Sequence, residues 1–237
     1  MDYYLGYCIC GVAILLAFIA SLIVQNRVTK TYDAYKEEPS SIDLTGAQLA
    51  QKLATENRIN ISIKMCRGKL SDHYNPKDRS INISEENYYS KSLSAQSIVA
   101  HEFGHAMQHA ENYGAYKVRQ TVVKVSNFMS GMLIPIIIIG LILELVFFST
   151  AGNLIIYIMC GLYGLSVLAG LVTLPVEYNA STRAKKLLFA MGNTSEEEQN
   201  ATANLLNSAA LTYVASLCVT LAYFLRIVFL LLASRRD

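Results

Sequence analysis

Ser92-Leu-Ser-Ala-Gln-Ser-Ile-Val-Ala-His101-Glu102-Phe103-Gly104-His105-Ala-Met-Gln-His109 carries an H-E-x-x-H pentad inside a Pro-free, Ala-rich run. The run predicts a helix, with Ser92 and Ser94 as candidate N-caps. Ile98, Val99, Ala106 and Met107 supply apolar positions beside the His face. Residues four apart lie one turn apart on one helix face, so His101 and His105 can offer ring nitrogens to a single ion. Glu102 lies about 100° round from His101, within reach of a water at that ion without ligating it. This is the layout of zinc-peptidase chemistry, in which the metal acidifies water and a carboxylate takes the proton. With only 4 His in the chain, random placement yields the pentad in roughly 0.3% of such sequences. Gly104 lowers helix propensity in the middle of the run, which predicts close backbone packing there.

Two His and a water leave a tetrahedral zinc one protein ligand short. His109 shares the His face but lies about 12 Å along the axis from His101, too far to serve. A third His ten residues after the first would suit another zincin pattern, but position 111 is Glu and the intervening Gly is missing. Glu111 also points away from the ligand face. The third ligand therefore comes from elsewhere in the chain.

Hydrophobic residues make up 53% of the 237 and charged residues 16%, and the bias is regional, as in a membrane protein. Tyr4 to Val24 is apolar and uncharged, and it lacks a basic n-region and a cleavage site, so it reads as a retained anchor. Phe128 to Phe148 and Leu154 to Val176 are two further spans, joined in a tight hairpin by Ser149-Thr-Ala-Gly-Asn. Leu211 to Ala233 is a fourth apolar helix and contains Arg226. Fourteen of the 20 Lys and Arg fall in residues 25–124, and Arg183, Lys185 and Lys186 follow the third span. By the positive-inside rule the N-terminus is outside, and 25–124 and 177–210 face the cytoplasm. Arg235 and Arg236 run against the rule if the last helix crosses fully. Glu144 and Arg226 are ionisable groups within apolar spans, which either pair with one another or snorkel to the outer interface.

The net charge of +2 and the lack of a basic stripe interleaved with aromatics argue against nucleic acid as a partner. Five scattered Cys form neither a disulfide framework nor a C-x-x-C zinc site. The N-x-S/T sequons at Asn60, Asn82, Asn193 and Asn200 carry no meaning in segments that face the cytoplasm.

Residues 41–124 read as a small α+β unit. Leu44 to Asn57 is a predicted helix with Asp43 as its cap and Leu44, Ala47, Leu49 and Leu53 as packing positions. Asn60-Ile-Ser-Ile-Lys-Met and Arg79-Ser-Ile-Asn-Ile-Ser alternate like strands, and His73-Tyr-Asn-Pro-Lys-Asp between them is turn chemistry. Ile81-Asn-Ile-Ser reads either as an edge strand that pairs with extended substrate or as an ordinary packing strand. The expected organisation is an N-terminal anchor (1–25), the soluble segment with the metal helix (26–124), a membrane hairpin (125–176), a cytoplasmic helical segment (177–210) and a C-terminal span (211–237). The fold class is a mainly α membrane protein with about four transmembrane helices and a small α+β zincin-like unit facing the cytoplasm.

The third ligand must lie on the same membrane side as His101. Glu144 sits within a span near its outer end. Glu196, Glu197 and Glu198 open a helix, where acidic residues complement the dipole. Glu177, in Leu174-Pro-Val-Glu-Tyr-Asn-Ala-Ser181, emerges at the cytoplasmic end of the third span just after Pro175 and begins a new helical stretch. It is the best-placed carboxylate, although an interfacial surface position would explain it equally simply.

Three segments together, Gly68-Lys-Leu-Ser-Asp-His-Tyr-Asn-Pro76, the pentad run and Leu174-Pro-Val-Glu-Tyr-Asn-Ala-Ser181, resemble the bacterial membrane zinc metallopeptidases called YugP-like. The resemblance covers nearly the whole chain in order and spacing, spans included. It implies a protein of the bacterial plasma membrane in which His101, His105 and Glu177 bind Zn²⁺ and Glu102 is the catalytic base. Similarity to the HtpX-like membrane proteases is looser, because those carry Asp four residues after the ligand Glu, where this chain has Ser181. Asn179 or Ser181 is then the candidate to orient a ligand.

The reading is a gluzincin-like zinc metalloendopeptidase acting on peptides or membrane proteins at the bilayer. His73, His109 and Tyr178 are available as oxyanion donors, but each has a simpler structural role. A catalytically idle membrane scaffold or chaperone that keeps the zinc site is the alternative. A small transporter accounts for the intramembrane charges but not for the pentad.

Overall fold

The structure is a computed structural model that describes residues 3–147, 151–191 and 194–234. It is mainly helical, with one small sheet. In chain order the elements are α1 (Tyr3–Tyr35), α2 (Gly46–Glu56), β1 (Ser62–Cys66), β2 (His73–Asn75), β3 (Ser80–Ser84), α3 (Glu85–Tyr89), α4 (Leu93–Ala110), α5 (Gly114–Phe147), α6 (Ala151–Ala190) and α7 (Glu196–Ser234). Two compact units divide the chain. One comprises residues 1–23, 118–173 and 213–237; the other comprises 24–117 and 174–212.

Three helices of the described residues are long and apolar enough to cross a membrane, on the segments Leu5–Tyr35, Ile155–Ala190 and Glu196–Leu232. Leu5, Ile9, Val12, Leu16 and Ile23 of α1 are exposed, as expected of a helix whose solvent is lipid. Small residues let these helices approach. A Cβ on Gly170 would meet Leu217 at 2.8 Å and one on Gly164 would meet Phe224 at 3.3 Å, so glycine there permits close contact between α6 and α7. Arg226 donates to the Tyr7 hydroxyl and lies 4.4 Å from the centre of its ring. The side chain of its expected partner Glu144 lies outside the described residues, as do Ser149 and Thr150 of the expected hairpin turn, Arg235 and Arg236, whereas Ala151, Gly152 and Asn153 of that turn open α6. The expected second span falls on α5, most of whose apolar side chains are likewise outside them.

The second unit is built on a hydrophobic core of Leu49 and Leu53 from α2, Ile81 and Ile83 from β3, Val99 and Phe103 from α4, and Ala184, Leu188 and Leu206 from α6 and α7. Its three strands are ordered β1-β3-β2, with β1 parallel and β2 antiparallel to β3. This decides one alternative and corrects one expectation. β3, which contains Ile81-Asn-Ile-Ser84, is the central strand and nearly all buried, so it is no edge. His73, Tyr74 and Asn75 pair with Asn82, Ile81 and Ser80, so the turn chemistry begins only after Asn75, and β2 is an edge.

Two local assignments also differ. Thr45, not Asp43, caps α2, because the reciprocal bonds of a capping box need Gln48 three residues on. The helix of Glu177 does not start afresh after Pro175; α6 runs through it. Proline removes one i→i−4 bond, and the complete burial of Val176, Ala180 and Ala184 around it offsets that loss. Glu198 acts as a capping residue, accepting from the Ser195 N–H at 3.0 Å and from Ser41.

Candidate metal centre

Helix α4 is capped by the Ser92 hydroxyl, which accepts from the Ala95 N–H. It is buried over most of its length, and His101 and His105 emerge on the face turned toward α6. Gly104 makes this approach possible. A Cβ there would lie 2.7 Å from the Ala180 carbonyl oxygen and 3.2 Å from its Cα. The close packing anticipated from the sequence is therefore contact between the backbones of α4 and α6. Gly104→Ala is expected to cost about 1–3 kcal/mol and to weaken metal binding, because the clash is with backbone that cannot rotate away. Thermal melts and a chelator titration measure both effects; unchanged metal affinity would contradict this role.

Glu177 is 1% exposed. Its Oε2 lies 3.2 Å from His101 Nε2 and 3.5 Å from His105 Nε2, and one ligand atom from each of the three residues fits within 4.8 Å. Tetrahedral zinc with ligand bonds near 2.0–2.2 Å sets neighbouring ligand atoms about 3.4 Å apart. Two imidazoles and a carboxylate at these separations fit that ion.

The tautomer of His105 follows from its partners. Gln108 Nε2 donates to the Val176 carbonyl at 2.8 Å and to Asn179 Oδ1 at 2.9 Å. Its Oε1 must then be the end that meets His105 Nδ1, at 3.0 Å. His105 Nδ1 therefore carries the proton, and Nε2 presents its lone pair toward Glu177. His101 Nδ1 meets the Ser181 hydroxyl at 3.2 Å, a partner able to donate or to accept, so this contact orients the ring without fixing its tautomer. Both candidate orienting residues are thus near the centre: Ser181 touches a His directly, and Asn179 acts through Gln108. Asn179 is itself held by Arg183 Nε at 2.8 Å, and Arg183 grips Glu111 with two bonds of 2.7 Å.

Gln108 is fully buried and is the residue that sequence reasoning missed. Its signal was available, since it lies three residues after His105 on the same helix face, but its partners on α6 could not be read locally. Gln108→Leu, which keeps the volume and removes both functions of the amide, is expected to lower metal affinity about 10–100-fold. Competition with a calibrated chelator tests this; wild-type affinity in the variant would contradict it.

Glu102 accepts the Tyr74 N–H from β2 at 2.8 Å through Oε2. Burial raises its carboxyl to about 7, against the pull of His101. His73 is exposed and bonds the Ser71 carbonyl through Nδ1 at 2.8 Å. His109 meets the Tyr74 hydroxyl at 2.8 Å and stands outside the ligand group. Tyr178 is 47% exposed.

Over residues 10–232 the chain matches a family described as "Putative neutral zinc metallopeptidase". It is 38% identical over 219 residues to a Bacillus subtilis (strain 168) protein named "Putative membrane protease YugP", covering 92% of this chain and 94% of that one. No solved structure gives a significant match.

Proposed function

Because the chain belongs to the neutral zinc metallopeptidase family, we propose that it is a membrane-embedded endopeptidase in which His101, His105 and Glu177 hold zinc and Glu102 is the general base. The observation that carries this reading is the convergence of three ligand atoms within 4.8 Å from two helices far apart in sequence. The chemistry a zinc ion supplies in such a site is Lewis acidity toward a carbonyl and acidification of water to a pKa of about 7.

The chain's own groups do the rest. Ser181 and Gln108 fix the two imidazoles with Nε2 inward. The Tyr74 N–H holds Glu102 Oε2, which leaves Oε1 to take a proton from the attacking water and return it to the leaving amine. Burial raises this carboxyl above the usual carboxylate range, the direction that helps a group both take and return a proton. β2 takes over the edge-strand role, since its Tyr74 N–H points away from β3 toward the catalytic helix. An extended peptide laid along β2 would present its scissile bond beside Glu102.

The second half of α5 serves as a fourth crossing in this reading, and the catalytic unit faces the cytoplasm, as the basic residues in 25–124 favour. The substrates are peptides or membrane proteins reaching the bilayer surface. The test is cleavage of casein, a quenched peptide or the protein itself by purified, detergent-solubilised material. Cleavage should stop on chelation and return with zinc. Zinc-loaded protein that cleaves none of the three would contradict the proposal and leave the scaffold reading.

A further inference from the structure

Tyr74 joins the catalytic carboxylate to a second feature. Its N–H donates to Glu102 at 2.8 Å, while its hydroxyl meets His109 Nδ1 at 2.8 Å in the wall of a cavity of about 380 Å³. Arg58, Arg79 and Asn112 also line this cavity, as does Ala106, the residue after His105. Among the described residues no Asp or Glu lines it. The acids nearest in sequence are engaged elsewhere, Glu56 with Lys52 at 3.9 Å, Asp78 with Lys64 at 2.5 Å and Glu111 with Arg183 at 2.7 Å.

The backbone singles out the same place. Among the described residues, four that are not glycine have left-handed φ, and three of these line the cavity: Arg58 at 54°, Arg79 at 51° and Asn112 at 55°. Arg58 follows α2 in a Schellman turn, with Ile59 N–H bonding Ala54 O at 3.0 Å and Arg58 N–H bonding Thr55 O at 3.2 Å. Asn112 follows α4 in the same way, with the Tyr113 N–H bonding Gln108 O at 2.9 Å and the Asn112 N–H bonding His109 O at 3.1 Å. Such positions favour Gly or Asn. Asn112 conforms, whereas Arg58 and Arg79 occupy left-handed backbone despite the strain.

The negative ends of α2 and α4 favour nearby cations in general. Their terminal carbonyls are nevertheless already satisfied by the Schellman bonds, so the helices make no demand for these guanidinium groups. Strain retained at two positions that face one cavity beside a catalytic residue points to a ligand. Two guanidinium forks and a wall without acid match a carboxylate.

Resting on the protease reading above, we propose that this cavity is a carboxylate-binding subsite through which the enzyme selects peptides bearing an acidic side chain or a free C-terminus. The probe is a labelled peptide binding to zinc-loaded, detergent-solubilised Glu102→Gln protein, read by fluorescence anisotropy. One peptide has neutral side chains and a free C-terminal carboxylate. A set with amidated C-termini carries a single Glu moved along the chain, and a reference set carries Gln instead.

Either the free-acid peptide or one Glu peptide is expected to bind about tenfold tighter than its neutral counterpart. Which of them does so identifies the source of the carboxylate. Adding Arg58→Asn and Arg79→Asn should abolish the preference and leave binding of the Gln peptides unchanged. Thermal stability should not fall, because Asn tolerates left-handed backbone better than Arg. Equal binding of all peptides, or a preference that survives loss of both arginines, overturns the subsite. A preference that depends on the arginines, in a protein whose wild type cleaves none of the peptides, supports the subsite and overturns the protease reading instead.

Discussion

Glu177→Ala is expected to abolish hydrolysis and to weaken zinc binding by more than about a hundredfold, the upper range for changes outside the ligand set itself. The carboxylate is 1% exposed, and its Oε2 is the atom that faces both His101 Nε2 and His105 Nε2. Its loss leaves two protein ligands where catalytic zinc sites use three. The pentad alone would then be a weak chelate on one helix. Glu177→Gln, which keeps the shape and the bonds within α6, separates the loss of charge from the loss of volume. Zinc content after dialysis against a competing chelator reads the effect, and circular dichroism checks that the helices persist. Full zinc occupancy in Glu177→Ala would remove Glu177 from the centre.

Glu102→Gln is expected to lower the cleavage rate about 10²–10⁴-fold, the range attributed to a positioned general acid–base, with zinc content unchanged. The substitution is close to isosteric at this position. The amide oxygen of Gln can still accept the Tyr74 N–H now bonded to Glu102 Oε2, so β2 and α4 need not move. What the amide cannot do is take a proton at the other end. Single-turnover cleavage reports the chemical step, and metal analysis of the same sample reports the site. A rate close to wild type would show that another group moves the proton. A rate lost together with the metal would show that Glu102 maintains the site rather than performing the chemistry.

The helix that carries the pentad was legible because everything that defines it is local: Ser92 at its cap, an unbroken apolar face, and His spaced by one turn. Gly104 was legible for a similar reason, since a helix-weakening residue in the middle of such a face implies a neighbour that needs the space. Glu177 came from topology. It was the best-placed carboxylate at the end of an expected span, and α6 brings it to His101 and His105.

The errors cluster where the deciding contact is distant. β3 alternates in sequence like a one-sided strand, but it is covered by β1 on one edge and β2 on the other. The three residues of β2 are too few to show a period and end against Asn75-Pro76, so their ladder with β3 is invisible before folding. Pro175 reads as a break, yet burial of the residues around it carries α6 through. Gln108 looks like an ordinary helix polar residue until the Val176 carbonyl and Asn179 arrive from α6.

The central claim is that one zinc ion is shared between α4 and α6, the helix that continues through Pro175 from an apolar stretch long enough to cross a membrane. X-ray absorption at the zinc edge, on purified protein loaded with one equivalent, tests it most directly. The account predicts a first shell of nitrogen and oxygen only, at about 2.0–2.2 Å, with the outer-shell scattering of two imidazoles, and the loss of this signature in Glu177→Ala. Sulfur at about 2.3 Å, or an imidazole count other than two, would contradict it.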